Sequence, residues 1–88
     1  MAKFDLGQLL STPGAIGAAT QEDLMRCIGR HVRGDWGALC DADQRANDQA
    51  LTSGGRLLSA YLLPSGVKLW VITEADRSAT TVLLPDEY

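Results

Sequence analysis

Residues 56–85, RLLSAYLLPSGVKLWVITEADRSATTVLLP, decide the fold. Side chains follow a period of two: Leu57, Ser59, Tyr61 and Leu63 alternate with Leu58, Ala60 and Leu62, and Leu69, Val71 and Thr73 alternate with Trp70 and Ile72. Pro64-Ser65-Gly66 and Ala75-Asp76-Arg77-Ser78 carry turn chemistry, and Pro85 stops the last run. Strands are therefore expected over Arg56–Leu63, Lys68–Glu74 and Ala79–Leu84. Strands joined by so few residues pair antiparallel, because a parallel crossover needs about a dozen residues or more. The expectation is a three-stranded antiparallel meander, and its apolar face needs a cover.

Upstream of Gly54-Gly55 the composition shifts to Ala, Gly, Asp and helix caps, which supply that cover. Phe4–Leu10 is apolar enough for a short strand or an extended arm. Thr12-Pro13 reads as a helix start, followed by a short Gly-containing turn of helix to Ala19. Thr20 with Asp23 makes a capping box for a better helix that Gly34 ends, with Leu24, Ile28 and His31 on one stripe and Met25 and Val32 beside it. Asp41 followed by Gln44 reads as the cap of a third helix to about Leu51, with Ala42, Ala46 and Ala50 facing inward. The fold class is α+β: two to three short N-terminal helices on a C-terminal meander. It forms a single domain over residues 1–88, with 1–53 mainly helical and 56–85 β.

With 88 residues, 45% of them hydrophobic, the chain supports one small core; a chain this short buries only a little over roughly 60% of its unfolded surface. No apolar run reaches membrane-span length, and no signal peptide is evident at the N-terminus. Two Cys without an export signal suggest a reduced, cytoplasmic protein. The formal net charge of −3 and a total of two Lys argue against nucleic acid as the partner.

The stretches His31-Val32-Arg33-Gly34-Asp35-Trp36-Gly37, Asn47 with Ala50-Leu51, Gly55-Arg56-Leu57-Leu58-Ser59-Ala60-Tyr61, Trp70 to Ser78 and Thr80 to Pro85 carry a resemblance. Together they resemble a family of small bacterial proteins of plasmids and integrated mobile elements, often labelled plasmid-related protein and in some cases tied to a type I restriction subunit. The similarity runs over almost the whole chain. It implies a setting, mobile DNA in bacteria, and carries no catalytic residues with it. No Gly-rich motif following a strand is present, so a cofactor-binding methyltransferase core is not expected.

Candidate chemistry is sparse. Cys27 and His31 are four residues apart on one helix and Cys40 follows, but zinc sites favour four ligands in paired short spacings, and no CxxC occurs. A nucleophilic pair from the same residues would need an orienting third group and an oxyanion site, and these residue types are too common for their presence to signal one. No metal or cofactor is expected. Trp36, between two Gly residues and beside Asp35, is either a plug at the helix–sheet junction or, if exposed, a binding anchor. Glu74, Asp76 and Arg77 at the second hairpin turn, with Arg56 and Tyr61 nearby, offer acid–base groups. Equally they make a solvated turn with an internal Arg–carboxylate pair. Asp35, Asp41, Asp43 and Asp48 form either a solvated face or a phosphate mimic, and Arg26, Arg30 and Arg33 either a phosphate-facing cluster or ion-pair partners of Glu22 and Asp23.

The reading is a non-catalytic, protein-binding accessory or inhibitor module of a mobile element, directed at host defence or element maintenance. Trp36, Asp35, Arg56, Tyr61, Trp70, Glu74, Asp76 and Arg77 are the candidate binding residues. The contact surface is the meander face of Trp70 and Ile72 or the Trp36 turn, and a sheet edge or face offers a route to a homodimer. The competing class is a nucleic-acid-acting enzyme, such as a small toxin-like ribonuclease.

Overall fold

Thr12 and Thr20 start the first two helices. The structure, a computed structural model, describes residues 2–88. Thr12 accepts a hydrogen bond from the Ala15 amide at 3.2 Å and opens helix α1, Pro13–Ala18, with Pro13 at its first position. Thr20 and Asp23 complete a reciprocal capping box that opens helix α2, Gln21–Val32. Gly34, at φ +82°, turns the chain away at its end. Cys27, Ile28 and His31 form the buried stripe of α2, while Met25 is 55% exposed.

Helix α3, Asp41–Ser53, departs from expectation at its start and in its rotation. Cys40, not Asp41, holds the cap position, and it makes no side-chain cap bond. Asp41 and Asp43 lie in the first turn, where acids suit the helix dipole. The buried positions are Asn47 and Ala50, whereas Ala42 and Ala46 are exposed. The helix is turned by Asn47, which reaches the edge of the sheet: its amide Nδ2 donates to the Leu58 carbonyl at 2.7 Å and its Oδ1 accepts from the Leu58 amide at 3.2 Å.

The meander forms as strands β2, Leu57–Leu62, β3, Lys68–Thr73, and β4, Ala79–Leu83. They pair antiparallel, with Leu57 opposite Thr73 and Trp70 opposite Leu83. The sheet nevertheless has four strands rather than three, and it is mixed. Residues Gln8–Ser11 form an additional strand that pairs parallel to β4, with Leu9 opposite Thr80. Numbered in chain order this strand is β1, and the sheet order is β1-β4-β3-β2. A parallel neighbour requires a long crossover, and here everything from α1 to β3 serves as one. Partners so distant in sequence leave no local signal.

Leu57, Ser59, Tyr61, Leu63, Leu69, Val71, Thr73, Thr80 and Val82 share one face of the sheet, and all are buried. Ala15 from α1 and Cys27 and Ile28 from α2 pack on this face. Trp36, Ala50 and Leu57 make a second apolar cluster, flanked by Phe4, Leu39 and Leu51. On the opposite face, Leu58, Ile72, Thr81 and Leu10 form one cross-strand row, with Ala60, Trp70 and Leu83 in the next. Ala60, Ile72 and Leu83 of this face are buried, which corrects the expectation of Ile72 as a contact residue; α3 contacts β2, and the short 3₁₀ turn Pro85–Glu87 contacts β3. Among the described residues, no helix is long and apolar enough to cross a membrane.

Candidate functional site

The Trp36 turn is sewn into the fold. Asp35 receives the Arg30 guanidinium through two bonds, at 2.7 and 3.2 Å, and also accepts from the Gly37 amide. The Arg30 bonds hold the Asp35 carboxyl below its usual range. Trp36 is 3% exposed, and its indole N–H donates to Asp48 at 2.9 Å. Its ring stacks on Phe4 and meets His31 edge-on. The Ala60 amide donates to the Trp36 carbonyl at 3.1 Å, and the Ala38 amide donates to the Ala60 carbonyl at 2.7 Å. The buried Tyr61 hydroxyl donates to the Asp35 carbonyl, and burial pushes its phenol pKa up to about 12. Trp36 and Tyr61 are thus plugs, and the expectation that either is a surface contact is corrected by their burial.

The same bonds close one edge of the sheet. The outward-facing backbone groups of Leu58 are taken by Asn47, and those of Ala60 by the Trp36–Ala38 segment. Strand pairing with another molecule along this part of β2 is blocked, which corrects the expectation of an open edge there.

Behind the turn lies a buried polar chain with a fixed direction. Thr80 Oγ1 donates to the Leu6 carbonyl at 2.7 Å and lies 2.7 Å from Thr73 Oγ1, which lies 2.9 Å from His31 Nε2; His31 Nδ1 is 2.5 Å from Ser59 Oγ. A carbonyl only accepts, so the Thr80 proton is committed to Leu6 and the Thr73 proton to Thr80. His31 must then donate from Nε2 and accept at Nδ1 from the Ser59 hydroxyl. The ring is neutral, and burial, with Arg77 close by, lowers its pKa to about 4. Every group in the chain is spoken for and solvent does not reach it, so it is structural rather than catalytic in form.

Arg77 also departs from expectation. Its guanidinium pairs with backbone carbonyls rather than with the turn carboxylates, donating to Gly55 at 2.6 Å and to Ala50 at 3.0 Å and lying over the Phe4 ring. The carbonyls at the C-terminal end of α3 attract a cation, and Arg77 accepts a left-handed backbone, φ +60°, to reach them. The Ser78 hydroxyl first, and then the Ser78 amide at 3.0 Å, hold the Asp76 carboxyl below the usual range. The acid–base set Glu74, Asp76, Arg77, Arg56 and Tyr61 is therefore not assembled. Cys27 is buried with its thiol pKa raised, chiefly by that burial, whereas Cys40 is exposed. Among the described residues, no three His, Cys, Asp or Glu side chains come together as a metal site. On α2, Arg26 pairs with Glu22 and Asp23, and Arg30 with Asp35.

Three candidates do meet, on the second face of the sheet. Arg56 and Glu74, both half exposed, approach to 4.0 Å. Arg56 also donates to the Tyr88 hydroxyl and lies 5.1 Å from the centre of that ring. Tyr88 meets Trp70 edge-on at 5.8 Å. Around this group Leu62 is 64% exposed, Tyr88 65% and Leu10 42%. The strand alternation pointed to Trp70, Arg56 and Glu74, but it missed Tyr88, which follows Pro85 outside any periodic run. The Pro85–Glu87 turn that places Tyr88 is fastened by Glu87, which accepts from the Thr12 hydroxyl at 2.6 Å and the Leu84 amide at 2.8 Å.

Comparison with protein-family models, with curated proteins and with solved structures finds no match for this chain.

Proposed function

We propose that the chain is a non-catalytic module that binds another protein through the exposed Leu62–Tyr88 part of the second face of its sheet. The observation that carries this reading is the cluster of Trp70, Tyr88 and Arg56 beside exposed Leu62. Trp, Tyr and Arg are the residue types that dominate binding energy at protein interfaces, and an exposed apolar patch with a polar rim marks an interaction site. Arg56, Glu74 and Lys68 supply that rim. The ordered titratable groups on the opposite face, His31 and Tyr61 foremost, are committed to holding the fold. In the mobile-element setting that the resemblance implies, the module is a cytoplasmic accessory or inhibitor factor acting on host defence or element maintenance.

The test is affinity capture from a bacterial lysate, comparing the wild-type chain with a Leu62→Asp/Tyr88→Ser double variant and with Met25→Asp, which alters exposed α2 instead. A partner protein retained by wild type and Met25→Asp, and weakened at least about tenfold by the double variant, is the expected outcome, since one or two central residues carry much of an interface. Equal capture by all three, recovery of RNA alone, or no partner at all contradicts the reading. Capture of the chain's own untagged copies, lost in the double variant, identifies the partner as a second subunit.

A further inference from the structure

A groove of about 230 Å³ opens between α3 and β2, lined by Leu39, Asp43, Ala46, Asn47 and Leu58. We infer that it receives a helix of the partner protein that presents a bulky aliphatic side chain and, one turn away, a Lys or Arg. The inference rests on the protein-binding reading and names the chemistry of the partner.

The size of the groove selects side chains. Small-molecule pockets begin at about 300 Å³, and this groove is smaller and open to solvent. Its walls are aliphatic at Leu39, Ala46 and Leu58, and Asn47 has both ends of its amide engaged with the Leu58 backbone. That leaves Asp43 as the charged group in the lining. Glu22 and Asp23 pair with Arg26, Asp35 with Arg30 and Glu74 with Arg56, whereas Asp43, like Asp5, Asp41 and Asp86, has no cation beside it among the described residues. Among the described residues Asp43 makes no ion pair or hydrogen bond. Helix α3 holds three Asp against one Arg, in a chain whose formal net charge is −3. That Arg, Arg45, projects about 160° around the helix from Asp43 and does not neutralise the groove. Charge complementarity therefore calls for a cation.

The binding mode follows from the closed edge. An extended peptide adds to a sheet through unpaired backbone groups, and at Leu58 and Ala60 those groups are already taken. Recognition here runs through side chains, which is how a helix seats in a groove. The small, exposed Ala42 and Ala46 let such a helix approach closely.

The probes are two synthetic amphipathic helical peptides with the same Leu/Ala face, one carrying Lys and the other Glu at its polar positions. Each is titrated into the ¹⁵N-labelled full chain. The Lys peptide is expected to shift the Asp43, Ala46 and Leu58 amides and the Asn47 side-chain amide saturably, and the Glu peptide to leave them in place. Asp43→Asn weakens the Lys peptide at least about fivefold, and Ala46→Arg abolishes its binding, both in chains whose remaining resonances stay in place. Equal binding of the two peptides, shifts mapping elsewhere, or indifference to Asp43→Asn overturns the inference. The two readings fail separately. A partner lost in Leu62→Asp/Tyr88→Ser beside an unshifted groove refutes the groove alone. A Lys peptide seated in the groove, with capture unaffected by that double variant, refutes the sheet-face reading.

Discussion

Gly37→Ala loses at least about 3 kcal/mol of stability in urea unfolding, enough to leave much of a chain this small unfolded. Gly37 has φ +77°, a conformation that costs an L-residue roughly 1–2 kcal/mol. A methyl group there overlaps the Ala60 carbonyl oxygen and comes within 2.7 Å of the Tyr61 ring. Neither obstacle is a flexible chain end: one is strand backbone and the other a buried ring. Relief requires lifting the Trp36–Ala38 segment, which breaks its two backbone bonds to Ala60 and pulls the Trp36 plug from its slot. Each lost bond removes about 1 kcal/mol. Gly54→Ala is the control, because Gly54 has φ +85° but open space around it. Its loss is confined to that same conformational cost, roughly 1–2 kcal/mol. Equal losses at the two positions contradict the close approach of the turn to β2.

Stability also falls on the order of 3 kcal/mol as the pH drops from 6.5 to about 4, because of His31. The unfolded chain protonates this imidazole near its ordinary 6.5, and the folded chain resists until about 4. A depressed folded pKa on a base means the unfolded state binds the extra proton in that window. The contribution is complete above 6.5 and drains away below it. Asp35, Asp76 and Glu87 have lowered values too, but carboxylates lose their share only as the pH falls past the ordinary carboxylate range, at the acid end. NMR of the ¹³C,¹⁵N-labelled ring checks the cause: a neutral Nε2–H tautomer that stays unprotonated down to about pH 4. A ring titrating near 6.5, or protonated at Nδ1, contradicts the directed hydrogen-bond chain to Leu6.

The strands and the first two helices were legible because their signals are local: caps at Thr12 and Thr20, turn residues at Pro64–Gly66, alternation along β2 and β3. That alternation also placed Ser59 and Thr73 among inward-facing neighbours, and His31 lay on the inward stripe of α2. The buried polar chain was thus implicit in the parity, though it reads at first as ordinary strand polarity. β1 was not legible as the parallel neighbour of β4 because its partner lies almost the whole chain away. The rotation of α3 was missed because a polar residue, Asn47, sets it by bonding an edge strand, whereas hydrophobic periodicity weighs only the alanines. At the site, Trp70 and its neighbours followed from strand parity. Tyr88 depended on Glu87 fastening the last turn to Thr12, a contact that no spacing encodes.

The most direct measurement is hydrogen exchange and side-chain footprinting of the chain with its captured partner bound. Shielding of Leu58, Leu62, Trp70 and Tyr88, with the exposed side of α2 around Met25 unchanged, is the expected footprint. Shielding of α2 with those four residues as accessible as in the free chain would contradict the assignment of the sheet face as the working surface.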